Sequence, residues 1–105
     1  MLTVNVRYFG KIREILDVKT EEYTVEDGTK LSDLLLKHVT QRHREASEKW
    51  VRTVFRTVKG ELLLNRDGTP VLNNHLVLIN GKSPSLNYGL KDGDEIAVLP
   101  PFGGG

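Results

Sequence analysis

Four apolar residues near the N-terminus constrain the fold more than any other feature of the sequence. Leu2, Val4, Val6 and Tyr8 alternate with Thr3, Asn5, Arg7 and Phe9, and a period of two places all four on one side of a pleated strand. Such a strand needs a core on that side and an element to cover it. The cover is supplied by Leu31, Leu34, Leu35 and Val39, spaced i, i+3, i+4 and i+8 as on one face of a helix. Thr29 is the expected N-cap of that helix, and Asp33 lies near the positive end of its dipole. A chain of 105 residues has room for one such core and no second domain.

The remaining segments follow from punctuation and local pattern. Gly10 breaks the first strand, and residues 11–16 are expected to form a loop with a helical turn. Residues 19–25 hold strand formers among many charges, which suits an outer strand paired to the first. From 40 to 48 the pattern turns polar, as in a solvent-exposed extension of the helix that makes no core. Val51, Val54, Phe55 and Val58 then fit helical spacing, although the density of Val, Thr and Phe also suits a strand; a helix is the expectation over 50–58. Residues 61–65 read as a short strand with Asp67-Gly68 as its turn, and 75–80 as a strand buried on both faces. Asn80-Gly81 closes it in a tight turn, because both residues tolerate positive φ. Residues 95–99 form the last strand, stopped by Pro100-Pro101. The order predicts an α+β domain over 1–99, one main helix on one face of a mixed sheet, with the first and last strands parallel at its centre.

Composition removes several classes of function. With 38% hydrophobic and 28% charged residues and no cysteine, the chain is an ordinary globular one without disulfides, thiolate metal sites or a cysteine nucleophile. No apolar run approaches the ~20 residues that cross a bilayer, and the N-terminus lacks the basic-then-apolar pattern of a signal peptide, so a cytoplasmic protein with no membrane association is expected. His38, His43 and His75 are not spaced as metal ligands. The serines lack a nucleophile-elbow pattern, and no glycine-rich phosphate loop is present. The net charge of +1 by itself predicts neither a nucleic-acid binder nor an acidic substrate, and no direct DNA binding is expected. The charge is uneven, however: residues 37–59 carry seven Lys or Arg against Glu45 and Glu48.

The end of the sequence is its most informative part. Leu99-Pro100-Pro101-Phe102-Gly103-Gly104-Gly105 leaves a strand through two prolines that hold the chain extended, then continues in residues that fit a narrow crevice. Together with Arg7-Tyr8-Phe9-Gly10-Lys11-Ile12-Arg13-Glu14 after the first strand, Asn80-Gly81, and Leu90-Lys91-Asp92-Gly93-Asp94-Glu95 before the last, this tail resembles the MoaD/ThiS sulfur-carrier family. That family includes the ubiquitin-related small archaeal modifiers and Urm1. The resemblance covers nearly the whole chain and implies a β-grasp fold with a flexible activation tail over 100–105.

The resemblance also implies a chemistry. An E1-like enzyme, using ATP and magnesium, adenylates the carboxylate of Gly105, with Gly104 beside it and Pro100, Pro101, Phe102 and Gly103 threading the tail into the enzyme. Sulfur then converts the acyl adenylate to a thiocarboxylate, for a molybdopterin synthase large subunit or a tRNA-thiolation enzyme, or a target lysine forms an isopeptide bond. No catalytic residue lies within the chain, no cofactor is held stably, and the free protein is expected to be a monomer. Arg13 and Leu99 match family positions at the partner interface. Ser83-Pro84 departs from the apolar residue common in molybdopterin carriers two positions after the Asn-Gly turn. The segment 40–59 is longer than in the shortest members, and its Arg42, Arg44, Arg52 and Arg56 are candidates for electrostatic docking. The alternative is a β-grasp binding module with an inert tail, docking a protein or RNA.

Overall fold

The computed structural model describes residues 1–101. Its four-stranded sheet has the order β2-β1-β6-β5, built from β1 Leu2–Tyr8, β2 Thr20–Val25, β5 Leu76–Ile79 and β6 Glu95–Leu99. β1 runs antiparallel to β2 and parallel to β6, and β5 runs antiparallel to β6. The first and last strands therefore occupy the centre side by side, as the β-grasp expectation requires. All four apolar residues of β1 face inward, with Val6 and Tyr8 fully buried.

Residues 31–42 form the continuous helix over that face: α2 Leu31–Asp33, a π-helical turn Leu34–His38, and α3 Val39–Arg42. Leu31, Leu34, Leu35 and Val39 are all fully buried, so the apolar stripe does what its spacing predicted. Its capping differs from the expectation. The Thr29 hydroxyl turns back to donate to the Glu26 carbonyl at 2.7 Å. The free amides of the first turn are met instead by a distant loop, Leu31 N–H bonding the Tyr88 carbonyl at 2.8 Å and Ser32 N–H the Leu86 carbonyl at 3.0 Å. Asp33 accepts the Lys30 N–H at 3.3 Å. Helix-end amides need a partner, and tertiary carbonyls serve as well as a hydroxyl.

Four further expectations are corrected. Residues 11–16 form a true helix, α1 Lys11–Leu16, because Ile12 and Leu16, one turn apart, both enter the core. The helix does not run on through 40–48: it ends at Arg42, the chain turns at 43–46 and a second helix begins, α4 Ser47–Val54; residues 40–48 are exposed or half-buried, as read, and it is Trp50 and Val54 beyond them that are fully buried. The Trp50 indole N–H donates to the Leu35 carbonyl at 2.9 Å, and its ring meets Tyr8 edge-on at 5.8 Å between centroids. Beyond α4 the helical reading fails, as Phe55 is extended and β3 Thr57–Val58 pairs with β4 Glu61–Leu62. β5 is a sheet edge with Val77 and Ile79 buried but Leu76 and Leu78 only half-buried, so it is not covered on both faces. The Asn80-Gly81 turn stands as read, with φ of 50° and 82°.

Candidate functional site

The root of the C-terminal tail is built by the two central strands. The β1–β6 ladder continues past the strand ends through a hydrogen bond from Phe9 N–H to the Val98 carbonyl at 3.2 Å. Leu99 pairs in register with Leu76 and is half-buried. Pro100 follows and rests on Gly10: a Cβ added there would lie 3.1 Å from the proline Cγ. Gly10 also has φ of 62°, a backbone region that favours glycine. Two independent constraints therefore fall on one residue, directly beneath the point where the chain leaves the sheet.

Arg13 stands beside this root. From α1 its Nε–H donates to the Tyr8 carbonyl at 3.2 Å, and its guanidinium lies 5.8 Å from the centre of the Phe9 ring. Both interface candidates taken from the sequence, Arg13 and Leu99, thus sit within a few residues of the strand ends that launch the tail. Phe102, Gly103, Gly104 and Gly105 lie outside the described residues.

The face of the sheet turned away from the helices extends the root into a surface. Asn5 and Arg7 of β1, with Phe9 just past its end, line an open hollow of about 420 Å³ with Leu78, Glu95 and Ala97. Reasoning from the sequence concentrated on the buried set and missed this face. Its signal was present in the odd-numbered partners of the β1 alternation, among which Phe9 is the apolar exception.

The four candidate docking arginines separate in space. Arg42 and Arg44 border one shallow hollow, and Arg52 and Arg56 another. Arg42 is engaged within the protein: its Nη1 donates to the Glu22 carbonyl at 2.8 Å and lies 3.7 Å from Glu21 Oε2, while the guanidinium stacks 3.8 Å from the centre of the Tyr23 ring. Arg44, Arg52 and Arg56 are exposed.

Glu21 anchors a polar cluster that the sequence did not disclose. Its Oε1 accepts the hydroxyls of Tyr8 and Tyr23, each at 2.9 Å, and lies 2.8 Å from His43 Nε2. Burial pushes the Glu21 carboxyl up, but hydrogen bonds from His43, Tyr8 and Tyr23 outweigh it and hold the group below its ordinary value. Burial, reinforced by the neighbouring ionisable groups, pushes the Tyr8 phenol far up, and Tyr23 rises mainly through burial as well. The cluster ties β1, β2 and the 43–46 turn together and presents no free nucleophile. Among the described residues no group of three or more His, Cys, Asp or Glu is placed to hold a metal ion, and no helix is long and apolar enough to cross a membrane.

Comparison with known proteins finds matches along nearly the whole chain. A model of the ThiS family matches residues 6–105. The chain is 29% identical over 104 residues to a molybdopterin synthase sulfur carrier subunit of Chlamydomonas reinhardtii, covering 99% of this chain and all of the relative. Among solved structures it is similar to a putative molybdopterin converting factor subunit 1 of Pyrococcus furiosus, with 28% identity, TM-score 0.69 and coverage of 96% of this chain and 99% of that one. It is also similar to the small archaeal modifier protein 1 of Methanosarcina acetivorans, with 26% identity, TM-score 0.70 and coverage of 100% and 98%.

Proposed function

The chain belongs to the ThiS family, and from that premise we propose that it is a ubiquitin-like sulfur carrier and protein modifier activated at the carboxylate of Gly105. The observation that carries this reading is the reach of the family match, which runs through both prolines and all three glycines to residue 105. As a family member the protein is a small carrier or modifier and not an enzyme. Its partners are those of the family: an E1-like activating enzyme, and a molybdopterin-synthase or tRNA-thiolation enzyme. Target-protein lysines are the acceptors in its role as a modifier. Residues 1–99 form the folded body and 100–105 the activation tail, and the setting is the cytoplasm.

The chemistry follows from the carboxylate. A C-terminal carboxyl has a pKa of about 3.3–3.7 and is ionised at neutral pH, so its carbon resists nucleophiles until an oxygen is converted to a leaving group. In the activating enzyme a carboxylate oxygen of Gly105 attacks the α-phosphorus of ATP and pyrophosphate leaves, forming an acyl adenylate. The outer sulfur of a donor persulfide attacks the activated carbonyl and displaces AMP to give an acyl disulfide, and a second thiol then attacks the donor's sulfur, releasing the thiocarboxylate and leaving a donor disulfide; a lysine amine attacking the activated carbonyl instead gives an isopeptide and releases AMP. Glycine at 104 and 105 keeps both sides of the carbonyl open and lets the chain pass a tight channel.

The body's part is to bind and orient. The open sheet face, continuous with Phe9 at the tail root, is the surface for the activating enzyme, with Arg13 and Leu99 at its margin. Pro100 and Pro101 hold the first tail residues extended, so that docking the face aims Gly105. Incubation with ATP, magnesium, the E1-like enzyme of the same organism and a sulfur donor tests the reading by intact mass. A gain of ~16 Da, oxygen replaced by sulfur, is expected for the carrier, and a lysine-linked adduct for the modifier. Absence of any adenylate, thiocarboxylate or conjugate would refute it in favour of a binding module with an inert tail.

A further inference from the structure

We propose that the hollow between the end of α4 and the β3–β4 hairpin is a second docking surface, for a protein segment that carries carboxylates beside aliphatic side chains. This inference does not depend on the chemistry of the tail. The hollow holds about 340 Å³ and is lined by residues that include Arg52, Phe55, Arg56, Val58, Leu63 and Asn73. None of these belongs to the four-stranded sheet or to the tail root. An occupant here and an enzyme gripping the sheet face do not compete for the same residues.

Two features of the hollow define its occupant. Val58 is 56% exposed, Leu63 41% and Leu64 55%, three of the four large hydrophobic side chains left exposed among the described residues. One such residue is ordinary, whereas Val58 and Leu63 together leave an apolar edge of the hollow open to water, with Leu64 exposed beyond it. The rim is basic as well: residues 52–66 carry Arg52, Arg56, Lys59 and Arg66 against Glu61 alone. Arg52 reaches only Glu48, at 4.0 Å and with both side chains well exposed, and Arg56 has no carboxylate within 4.0 Å among the described residues. Two guanidinium forks on one hollow suit an anionic acceptor with paired oxygens.

Carboxylate and phosphate would both satisfy the forks, and the apolar rim decides between them. Val58 and Leu63 gain by burial against aliphatic side chains, which a protein segment supplies. A single-stranded nucleic acid would instead need an exposed ring to stack its bases, and Phe55, the aromatic residue of the hollow, is fully buried. Strand addition is not the mode of recognition. The hairpin backbone is already paired, Thr57 with Leu62 and Val58 with Glu61, and Leu63 N–H bonds the Arg56 carbonyl while the Leu63 carbonyl accepts from Val71 N–H, both at 2.9 Å. Side chains must carry the specificity.

Titration of the nitrogen-15-labelled full chain with a short soluble peptide of alternating glutamate and leucine tests this surface. Amide shifts are expected to concentrate on Arg52, Phe55, Arg56, Val58, Leu63 and Asn73, with affinity falling about tenfold or more when glutamine replaces glutamate in the peptide. The double variants Arg52→Glu/Arg56→Glu and Val58→Ser/Leu63→Ser should each weaken binding, while an unchanged spectrum elsewhere verifies their fold; Arg52→Gln/Arg56→Gln is the milder substitute. Removal of Gly104 and Gly105 should leave the titration unaltered, which separates this surface from the tail. Equal binding of the glutamine peptide, indifference to both double variants, or tighter binding of a short oligouridylate at the same amides would each overturn the assignment.

Discussion

Replacing Trp50 with phenylalanine measures whether the segment after residue 42 belongs to the core. Trp50 is fully buried, donates its indole N–H to the Leu35 carbonyl at 2.9 Å and packs edge-on against Tyr8. Phenylalanine keeps an aromatic ring but removes the donor, leaving the Leu35 carbonyl unpaired at that site, which costs about 1–3 kcal/mol. It also empties the volume of the second ring. Since complete truncation of a buried tryptophan to alanine costs about 3–5 kcal/mol, the partial loss should add roughly 1 kcal/mol. The sum, about 2–4 kcal/mol, corresponds to a fall in Tm of roughly 10–20 °C for a domain of this size. The chain has a single tryptophan, so the variant must be followed by far-ultraviolet circular dichroism in urea and not by indole fluorescence. Lys49→Ala, on the exposed side of the same helix, is the control and should stay within about 0.5 kcal/mol. A Trp50→Phe cost as small as that of the control would refute the placement of α4 in the core.

Three further outcomes are expected. Deleting Gly104 and Gly105 should abolish adenylation and thiocarboxylate formation by the E1-like enzyme while leaving urea stability unchanged; activity that survives the deletion would show that the tail is not the reacting end. Because the folded protein holds the Glu21 carboxyl below its value of 4.5, its stabilising contribution is present above that pH and is lost as pH falls through the lower folded value. The acid limb of stability against pH should therefore be shallower in Glu21→Gln, which is also less stable at neutral pH, and superimposable limbs would refute the role of the cluster. Asn80→Ala should cost about 2 kcal/mol, measured by urea unfolding. It puts alanine at φ of 50° and removes the side-chain bonds to Asp94 Oδ1 and Glu95 N–H, each at 3.0 Å; a change under half that size would mean the turn holds without them.

Much of the fold, with the point where the tail leaves it, was readable in the sequence because its signals are local. The β1 alternation, the Leu31 to Val39 stripe, the Asn80-Gly81 turn and the Pro100-Pro101 stop each arise from neighbours in sequence, whose period or backbone preference is set by covalent geometry. Those elements, in that order, already imply parallel central strands and a tail leaving the last of them. The misreadings share one cause. Thr29 was a sound cap by residue type, but the carbonyls of Leu86 and Tyr88 arrived from more than fifty residues away and took its place. Likewise β5 reads as a doubly buried strand from its unbroken apolar run, and only the sheet order makes it an edge.

What the sequence determined by itself is the body's period-two and helical faces and the turn residues. The tertiary structure decided which polar groups would meet. Glu21, Tyr8, Tyr23 and His43 share no spacing, yet they converge on one carboxylate oxygen. Arg42 and Arg56 belong to one basic run, but Arg42 is engaged with the β2 edge while Arg56 opens onto the hollow beside the β3–β4 hairpin. Side-chain hydrogen bonds and ion pairs act over a few ångströms, so their partners are chosen only after the hydrophobic faces have brought distant segments together.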